Sequence, residues 1–259
     1  MINRNLVSII IPCFNAVKYT RQCLNSVLKH STCDYEIILI NNGSSDKTRE
    51  FLKEFKKKNK HHCFLKKISV FNMPYNIGVA KALNLGIRKS SGQYVCYINS
   101  DVIVTKNWLV SLTKACEKNR KNAVVGTLFN SFEDNKFINA VEKNKQEIDR
   151  VAKTIYLLNK NKVKKAKTIH GLCMLIKKSI FSKVGFFNEK FYPCFGEDIE
   201  FCQRVKKCGY NLVDALDVFI FHYWNKSSVS KEFRSIFGDI KRLRQKHYKK
   251  FKISEKYKI

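Results

Sequence analysis

The stretch Val7-Ser8-Ile9-Ile10-Ile11-Pro12-Cys13-Phe14-Asn15 decides the fold class of this chain. Its apolar, β-favouring run ends at a proline and a polar loop, and further runs of this kind alternate with helical patterns. The runs lie at 7–11, 36–40, 68–71 and 94–98, and the helical patterns at 19–29, 46–58 and 79–89. Near-continuous apolar strands are those buried on both faces, so the first hundred residues are predicted to form a Rossmann-like, mostly parallel α/β sheet flanked by helices.

Polar loops follow three of these strands, at 12–15, 41–46 and 99–101. In parallel sheets ligands bind beyond the carboxyl ends of the strands, so the chemistry is expected there. Asp46 is also interpreted as a helix N-cap, because Ser44 and Ser45 supply a turn before it. No G-x-G-x-x-G or P-loop sequence follows a strand, so a nucleotide would have to be held in another way.

The composition is that of a packed but strongly basic protein. Of 259 residues, 44% are hydrophobic and 3 are proline, which excludes disordered and collagen-like chains. Lys and Arg number 50 against 21 Asp and Glu, a formal net charge of +29. Such a charge attracts phosphates, anionic lipid or nucleic acid, although a lysine-rich composition with solvated faces explains it equally well. Specific nucleic-acid binding is disfavoured, because the aromatic residues are not interleaved with the lysine runs.

Ten cysteines occur without any C-x-x-C pair, and several lie inside apolar runs such as 171–176. They are predicted to be reduced core thiols. The apolar stretch at 6–12 is too short for a signal sequence, and no run of about 18 apolar residues occurs. We therefore expect a cytoplasmic protein.

The second half of the chain has weaker patterns. The segment 136–167 holds ten Lys and Arg against three acids on a helix around 141–158, and is either a substrate-facing insertion or a solvated face. A strand at 172–176 precedes a short helix from Ser179 and a turn at Gly185.

A helix is predicted to begin at Glu197 and Asp198 and to stop at Gly209. Acids at a helix N-terminus stabilise the helix dipole, so a structural role stays open for both carboxylates beside a catalytic one. The next strand, 213–221, ends at His222. A single histidine among aromatic residues is either a packing residue or a ligand.

Seven motifs in this order resemble the inverting glycosyltransferases of family 2, which have the GT-A fold. The resemblance covers roughly 5–225 and is closest to bacterial, rhamnosyltransferase-like enzymes that extend surface polysaccharides. The matching stretches are 7–15, 42–46, 76–78 with 82–86, 99–102, 171–178, 185–189, and 197–200 followed by His222. The resemblance implies a GT-A domain over 1–228, with a nucleotide-binding half at 1–104 and an acceptor and catalytic half at 105–228.

The resemblance also implies a site. A divalent cation, Mn²⁺ or Mg²⁺, would stabilise the departing diphosphate of a nucleotide-sugar donor, with Asp101 and His222 as its ligands. Asp198 would be the base that removes the acceptor proton, with Glu197 as its neighbour or an acceptor contact. The donor's base, ribose and diphosphate would lie against Pro12, Phe14, Asn41, Gly78, Asn84, Asn99 and Ser100.

Two positions depart from the family pattern. Asn41 stands where an Asp usually precedes Asn-Gly-Ser, so the carboxylate contact to a uracil base becomes an amide contact and the nucleotide is left open. Asn99 stands where the D-x-D sequence begins, which lowers the negative charge of the site.

The tail, 229–259, is predicted to be a basic amphipathic helix. From Lys231 onward it has eleven Lys and Arg against three acids, with an apolar stripe at Phe233, Ile236, Phe237, Ile240 and Leu243. Such a helix either lies on an anionic membrane, consistent with a lipid-linked acceptor and a peripheral position on the inner membrane face, or docks on the catalytic domain.

Two functions follow. The leading one is a metal-assisted enzyme that moves a sugar, with inversion, onto a hydroxyl of a saccharide or lipid-linked saccharide. The alternative is a catalytically weak binding module of the same fold, recruited to polyanions or membranes.

Overall fold

The structure is a computed structural model that describes residues 3–130, 138–141, 144–224 and 240–250. Within these residues, nine strands form one sheet. They are β1 (Asn3–Cys13), β2 (Tyr35–Asn41), β3 (Leu65–Asn72), β4 (Gly92–Ile98), β5 (Val102–Ile103), β6 (Asn122–Phe129), β7 (Val163–Lys165), β8 (Cys173–Lys177) and β9 (Asn211–His222). The helices are α1 (Val17–His30), α2 (Thr48–Lys58), α3 (Val79–Lys89), α4 (Trp108–Glu117), α5 (Gln146–Asn159), α6 (Phe181–Val184), α7 (Glu197–Lys207) and α8 (Ile240–Lys250).

The strand order is β3-β2-β1-β4-β8-β6-β9-β5, with β7 also paired to β9. The first four strands of the chain are all parallel, as predicted for the first hundred residues. The second half is mixed, because β8 runs antiparallel between β4 and β6 while β6 and β9 are parallel. The predicted α/β class is thus confirmed, with the carboxyl ends of β1, β2, β4 and β9 as the edge to inspect for chemistry.

Helices cover both faces of the sheet, and neighbouring residues of β1 show why. Ile9 packs into a core shared with α1, α2 and α4. Ile10 packs into the opposite core, with α3, α6 and α7. Successive side chains of a strand point to opposite faces, so a strand covered on both sides needs apolar residues at every position. This explains the nearly continuous apolar run that begins at Val7, in which the buried Ser8 is the one polar residue and donates its hydroxyl to Glu36 (2.7 Å).

The ten cysteines are all free, and seven of them are buried. The prediction of reduced core thiols is confirmed. In the part of the chain that the structure describes, no helix is both long and apolar enough to cross a bilayer.

The tail helix α8 contacts the rest of the protein through its second half. Tyr248 is buried in a small cluster with Phe191 and Ile199. The predicted apolar stripe lies mostly outside the described residues. The contacts that the structure shows are made by other side chains, those of His247 and Tyr248. A separate unit beginning at 229 stays a prediction.

The Asp46 carboxylate binds the starts of two helices. Its Oδ1 accepts the Thr48 N–H (3.0 Å) at the beginning of α2, and its Oδ2 accepts the Val17 N–H (3.0 Å) at the beginning of α1. The N-cap of α2 is Lys47, one residue after the predicted Asp46, but the first bond still joins the Asp46 carboxylate to the first turn of the helix. The second bond shows that Asp46 also joins the loops after β1 and β2.

We predict that Asp46→Ala lowers the free energy of unfolding by about 1–2 kcal/mol, because two helix N-terminal N–H groups lose their acceptor. Chemical denaturation measures the change. Glu50→Ala is the matched control, since Glu50 lies exposed in the first turn of the same helix. Equal losses in the two variants would contradict a specific capping role.

Candidate active site

Asp101 and His222 meet at the end of the sheet because β5 pairs with the last residues of β9. Val102 lies opposite His222 in this antiparallel pair, and the Tyr223 N–H donates to the Asp101 carbonyl (3.0 Å). The Asp101 Oδ1 and His222 Nε2 atoms are 3.0 Å apart, and both residues are buried. The two side chains predicted as metal ligands are therefore brought together.

Asn130 holds the backbone of His222 in place. Its Nδ2 donates to the His222 carbonyl (3.1 Å), and its Oδ1 accepts the His222 N–H (2.8 Å). The Trp224 ring lies against the imidazole, with centroids 4.4 Å apart. The sequence analysis missed Asn130, although a polar residue directly after the apolar end of β6 was a signal for it.

The Asn99 amide places a second polar group beside His222 Nε2. Tyr97 donates its hydroxyl to Asn99 Oδ1 (2.8 Å), which directs the Asn99 amide N–H group toward His222 Nε2, 3.4 Å away. Nε2 thus faces a carboxylate, which needs a donor, and an amide N–H, which needs an acceptor. A neutral imidazole nitrogen cannot satisfy both.

A divalent cation fits this arrangement, since it would attract both the Nε2 lone pair and the Asp101 carboxylate. The 3.0 Å between Oδ1 and Nε2 matches neighbouring ligands placed about 2.1 Å from an ion of octahedral preference. Within the described residues, no group of three or more His, Cys, Asp or Glu side chains surrounds such a position. Oxygens of a bound phosphate or of water would have to complete the shell.

Asp198 is attached to the same edge by backbone contacts. Its Oδ2 accepts the Gly171 N–H (2.7 Å), and the next residue, Leu172, accepts the Asn99 N–H (3.0 Å) through its carbonyl. Burial raises the pKa of the Tyr97 hydroxyl, and the negative charges of Glu197, Asp198 and Asp101 raise it further. The segments ending at 101, 198 and 222 therefore lie around one place.

Glu197 and Asp198 stand at the first turn of α7 but in different surroundings. Gly196 precedes them at φ 101°, a backbone conformation open to glycine, and lets the chain turn sharply into the helix. Glu197 is buried, and its Oε2 has no hydrogen-bond partner. Burial, and then the charge of Asp198, raise the pKa of Glu197 to about 8. At neutral pH Glu197 is therefore mainly a protonated carboxyl group, and Asp198 beside it is less buried.

The C-terminal helix supports the segment that leads into this pair. The His247 Nδ1 atom lies 3.1 Å from the carbonyl oxygens of Cys194 and Phe195, so it must carry the proton that it donates. The same imidazole packs edge-on against Phe191 at 5.5 Å between centroids. The sequence analysis did not assign His247, because its contacts lie more than fifty residues away in the chain.

A cavity of about 330 Å³ adjoins Leu172, on the side of β6. Its polar lining includes Thr127, His170 and Asp214, and Phe129 adds an aromatic ring that meets His170 edge-on at 5.5 Å. Burial raises the pKa of Asp214 to about 6, and Lys164 opposes this rise. The cavity therefore offers a hydroxyl, an imidazole and a carboxyl group to a polar molecule.

The residues predicted to contact a nucleotide differ in burial and in the hydrogen bonds that they already make. Pro12 and Phe14 are half-buried at the end of β1, and Ser100 is buried beside Asp101. Asn41 lies at the end of β2, but its amide already donates to Asn72 (2.9 Å) and accepts the Ser44 N–H (3.2 Å).

Gly78 and Asn84 serve the packing of the fold. Gly78 has φ 84°, and an added Cβ there would come within 2.8 Å of the Tyr192 ring. Asn84 is buried, donates to the Phe187 carbonyl and to Glu189, and accepts the Phe187 N–H. Both amide hydrogens and the oxygen of Asn84 are thereby used, and nucleotide contact by these two residues stays a prediction.

The chain matches the family model described as Glycosyl transferase family 2 over residues 8–185. It is 28% identical over 239 residues to an uncharacterized glycosyltransferase of Haemophilus influenzae, covering 88% of this chain and 69% of that one. It is 28% identical over 188 residues to glycosyltransferase GlyG of Streptococcus pneumoniae, which covers 71% of this chain and 60% of GlyG. A poly-beta-1,6-N-acetyl-D-glucosamine synthase of Staphylococcus epidermidis is 31% identical over 191 residues, 70% of this chain and 42% of the synthase.

Solved structures with the same fold include a mannosyltransferase of Pyrobaculum calidifontis in complex with GDP-Man and Mn²⁺ (TM-score 0.65, 14% identity, 90% of this chain and 60% of that one). Another is GalNAc-T7 with UDP, GalNAc and Mn²⁺ (TM-score 0.65, 16% identity, 96% and 55%). The predicted GT-A fold is confirmed, while the rhamnosyltransferase-like subgroup stays a prediction. The family match favours the enzyme over the binding module, and the chain belongs to glycosyl transferase family 2.

Proposed function

We propose that this glycosyltransferase moves a sugar from a nucleoside-diphosphate donor onto a hydroxyl of a saccharide acceptor, with inversion at the anomeric carbon. The observation that carries the proposal is the meeting of Asp101, His222 and Asp198 around one place on the sheet edge. An electrostatic site for a diphosphate and a carboxylate for proton transfer are the two parts that this reaction needs.

Asp101 and His222 would hold Mn²⁺ or Mg²⁺, with Mn²⁺ favoured by the imidazole ligand. When bound, the cation neutralises charge that develops on the departing diphosphate. The mannosyltransferase and GalNAc-T7 structures that share this fold both contain Mn²⁺. The Asn99 amide N–H group points into the same region and would donate to a phosphate oxygen, which compensates for the carboxylate absent at this position.

Asp198 is the proposed base. The Gly171 N–H fixes one of its oxygens, and α7 directs its N-terminal dipole toward the carboxylate. As the acceptor oxygen forms its bond to the anomeric carbon, the bond to the diphosphate breaks and leaves its electron pair on the diphosphate oxygen. The acceptor proton passes to Asp198. Glu197, protonated at neutral pH, leaves a single negative charge at the pair.

The cavity beside Leu172 is proposed to receive the acceptor. His170 and Leu172 line it, and Gly171 between them donates its N–H to Asp198, so the cavity wall is one residue away from the contact of the proposed base. A hydroxyl, an imidazole and a carboxyl group around an aromatic ring suit a saccharide, which presents hydroxyls on its edge and C–H groups on its faces. The match to a poly-N-acetylglucosamine synthase supports a saccharide acceptor, free or lipid-linked.

We predict that Asp101→Asn abolishes the Mn²⁺-dependent rise in melting temperature that a nucleoside diphosphate causes, because ligand binding to the native state stabilises it by mass action. A thermal shift series with UDP, GDP, dTDP and CDP, with and without Mn²⁺, measures the effect and identifies the nucleotide. Asp149→Asn, on the exposed side of α5, is the control. An unchanged shift in Asp101→Asn would overturn the proposed metal site.

We predict that Asp198→Asn lowers kcat for donor turnover by about 10²-fold or more, because the amide cannot accept the proton. Release of nucleoside diphosphate from the donor, with water or a saccharide as acceptor, is the readout. The Mn²⁺-dependent thermal shift should persist in this variant. A kcat equal to that of the parent protein would exclude Asp198 as the base.

Glu197→Gln tests the raised pKa. In the folded protein Glu197 retains its proton up to about pH 8, whereas in the unfolded chain a glutamate loses it near pH 4.3. The native state binds more protons between these values, so Glu197 makes stability fall as the pH rises through this window, by at most about 1.4 kcal/mol per pH unit.

The neutral glutamine removes this fall. The melting temperature of Glu197→Gln relative to the parent should therefore increase from pH 5 to pH 8. Glu50→Gln, an exposed carboxylate, should show no such trend. A difference between Glu197→Gln and parent that does not vary with pH would show that Glu197 ionises as an ordinary glutamate.

A further inference from the structure

We propose that a cationic surface at the end of α5 binds an anionic lipid bilayer, with two leucines inserted between the headgroups. The surface, here called the lysine face, consists of Leu157 and Leu158 together with Lys118, Arg120, Lys160, Lys162, Lys164 and Lys165. It is separate from the tail, and it borders the cavity described above only at Lys164, which lies opposite Asp214. It does not depend on the proposed reaction, so the two can fail independently.

Backbone and side-chain contacts hold together the chain segments that carry the lysine face. The Lys118 ammonium donates to the Asn161 carbonyl, which joins the end of α4 to the turn after α5. The Asn161 N–H donates to the buried Asp217 (2.8 Å), and β7 pairs with β9 at residues 163–165. Its cations therefore come from separate stretches of chain and are held together by the fold.

Three carboxylates lie close to this face, which leaves its six cations in excess. Asp217 is buried and bonded to Ser111, and Asp214 is half-buried opposite Lys164. Glu117 is exposed and accepts the Tyr94 hydroxyl (3.1 Å). No Asp or Glu occurs in the sequence from 150 to 188. Among the described residues, none of the six cations forms an ion pair within 4.0 Å.

The two leucines distinguish this face from an ordinary solvated one. Leu157 and Leu158 are 66% and 67% exposed, whereas Ile148 and Ala152 of the same helix pack against Phe219 and Phe221. The core-facing side of α5 is thus already filled, and the leucines protrude beside the lysines. Apolar side chains next to basic ones are the combination that binds the interface of an anionic bilayer.

A nucleic acid would neutralise the lysines but would leave both leucines in water, so the bilayer is the better partner. The position of the face also suits a lipid-linked acceptor. β7 pairs with β9 near Val213 and Ala215, and β9 then runs to His222. A bilayer at the lysine face would lie alongside the strand that ends in the active site.

Co-sedimentation of the full chain with vesicles tests the proposal. We expect binding to vesicles of equal parts phosphatidylglycerol and phosphatidylcholine, and little binding to phosphatidylcholine alone. Leu157→Ser with Leu158→Ser should weaken the binding about tenfold or more, because the apolar contribution is lost. Replacing Lys160, Lys162, Lys164 and Lys165 by Gln should abolish it.

The matched control replaces Lys53, Lys56, Lys57 and Lys58 of α2 by Gln, an equal change of charge on another exposed surface. This variant should retain most of the binding, and melting temperatures should show that all variants fold. The proposal is overturned if the leucine variant binds as the parent does, or if the α2 variant loses as much binding. Binding to heparin equal to that for vesicles, insensitive to the leucines, would identify a polyanion site instead.

Discussion

The active-site edge depends on a two-residue strand. β5 pairs with the end of β9, and this pairing sets Asp101 against His222 at 3.0 Å although 120 residues separate them in the chain. Asn130 fixes the His222 backbone from the end of β6. A buried carboxylate and a buried imidazole stabilise a cation that lies between them, provided that they stay close together. The surrounding backbone hydrogen bonds prevent Asp101 and His222 from moving apart. The geometry proposed for metal binding therefore rests on backbone pairing more than on the local sequence around Asp101 and His222.

A second constraint acts at the start of α7, where the neighbouring carboxyl groups of Glu197 and Asp198 differ in burial and in hydrogen bonding. Burial keeps the proton on Glu197, while Asp198 takes a backbone N–H bond and stays open to the cleft. Such a separation of two adjacent acids is a common way to obtain one base without accumulating charge. The C-terminal helix contributes from the other side, since His247 binds the carbonyls that precede the pair. The described part of the tail, 240–250, is thereby in direct contact with the segment that leads into Glu197 and Asp198.

The parallel and the mixed halves of the sheet carry different parts of the proposed site. The first four strands are parallel, and their loops are joined by asparagine and serine side chains such as Asn15, whose Oδ1 accepts the Ser45 N–H (2.9 Å). These loops form the proposed nucleotide side. β8 pairs antiparallel with β4, so Gly171 and Leu172, which directly precede β8, lie beside the Asn99 loop at the end of β4. They connect this loop to Asp198. The residues proposed for proton transfer and for donor binding are therefore joined by one set of backbone contacts.

The sequence by itself determined the α/β class, the parallel first half, the start of α2 to within one residue of Asp46 and the loops to inspect, because apolar periodicity and turn residues act over a few positions. It did not predict α4 or β5, and it left the second half of the sheet weakly defined, since two-residue strands carry no periodic pattern. The roles of Asn130 and His247, the buried state of Glu197 and the cavity beside Leu172 were decided only by the tertiary structure. Each of these results from contacts between segments distant in the chain, and burial and pairing at such distances leave no local pattern in the residues.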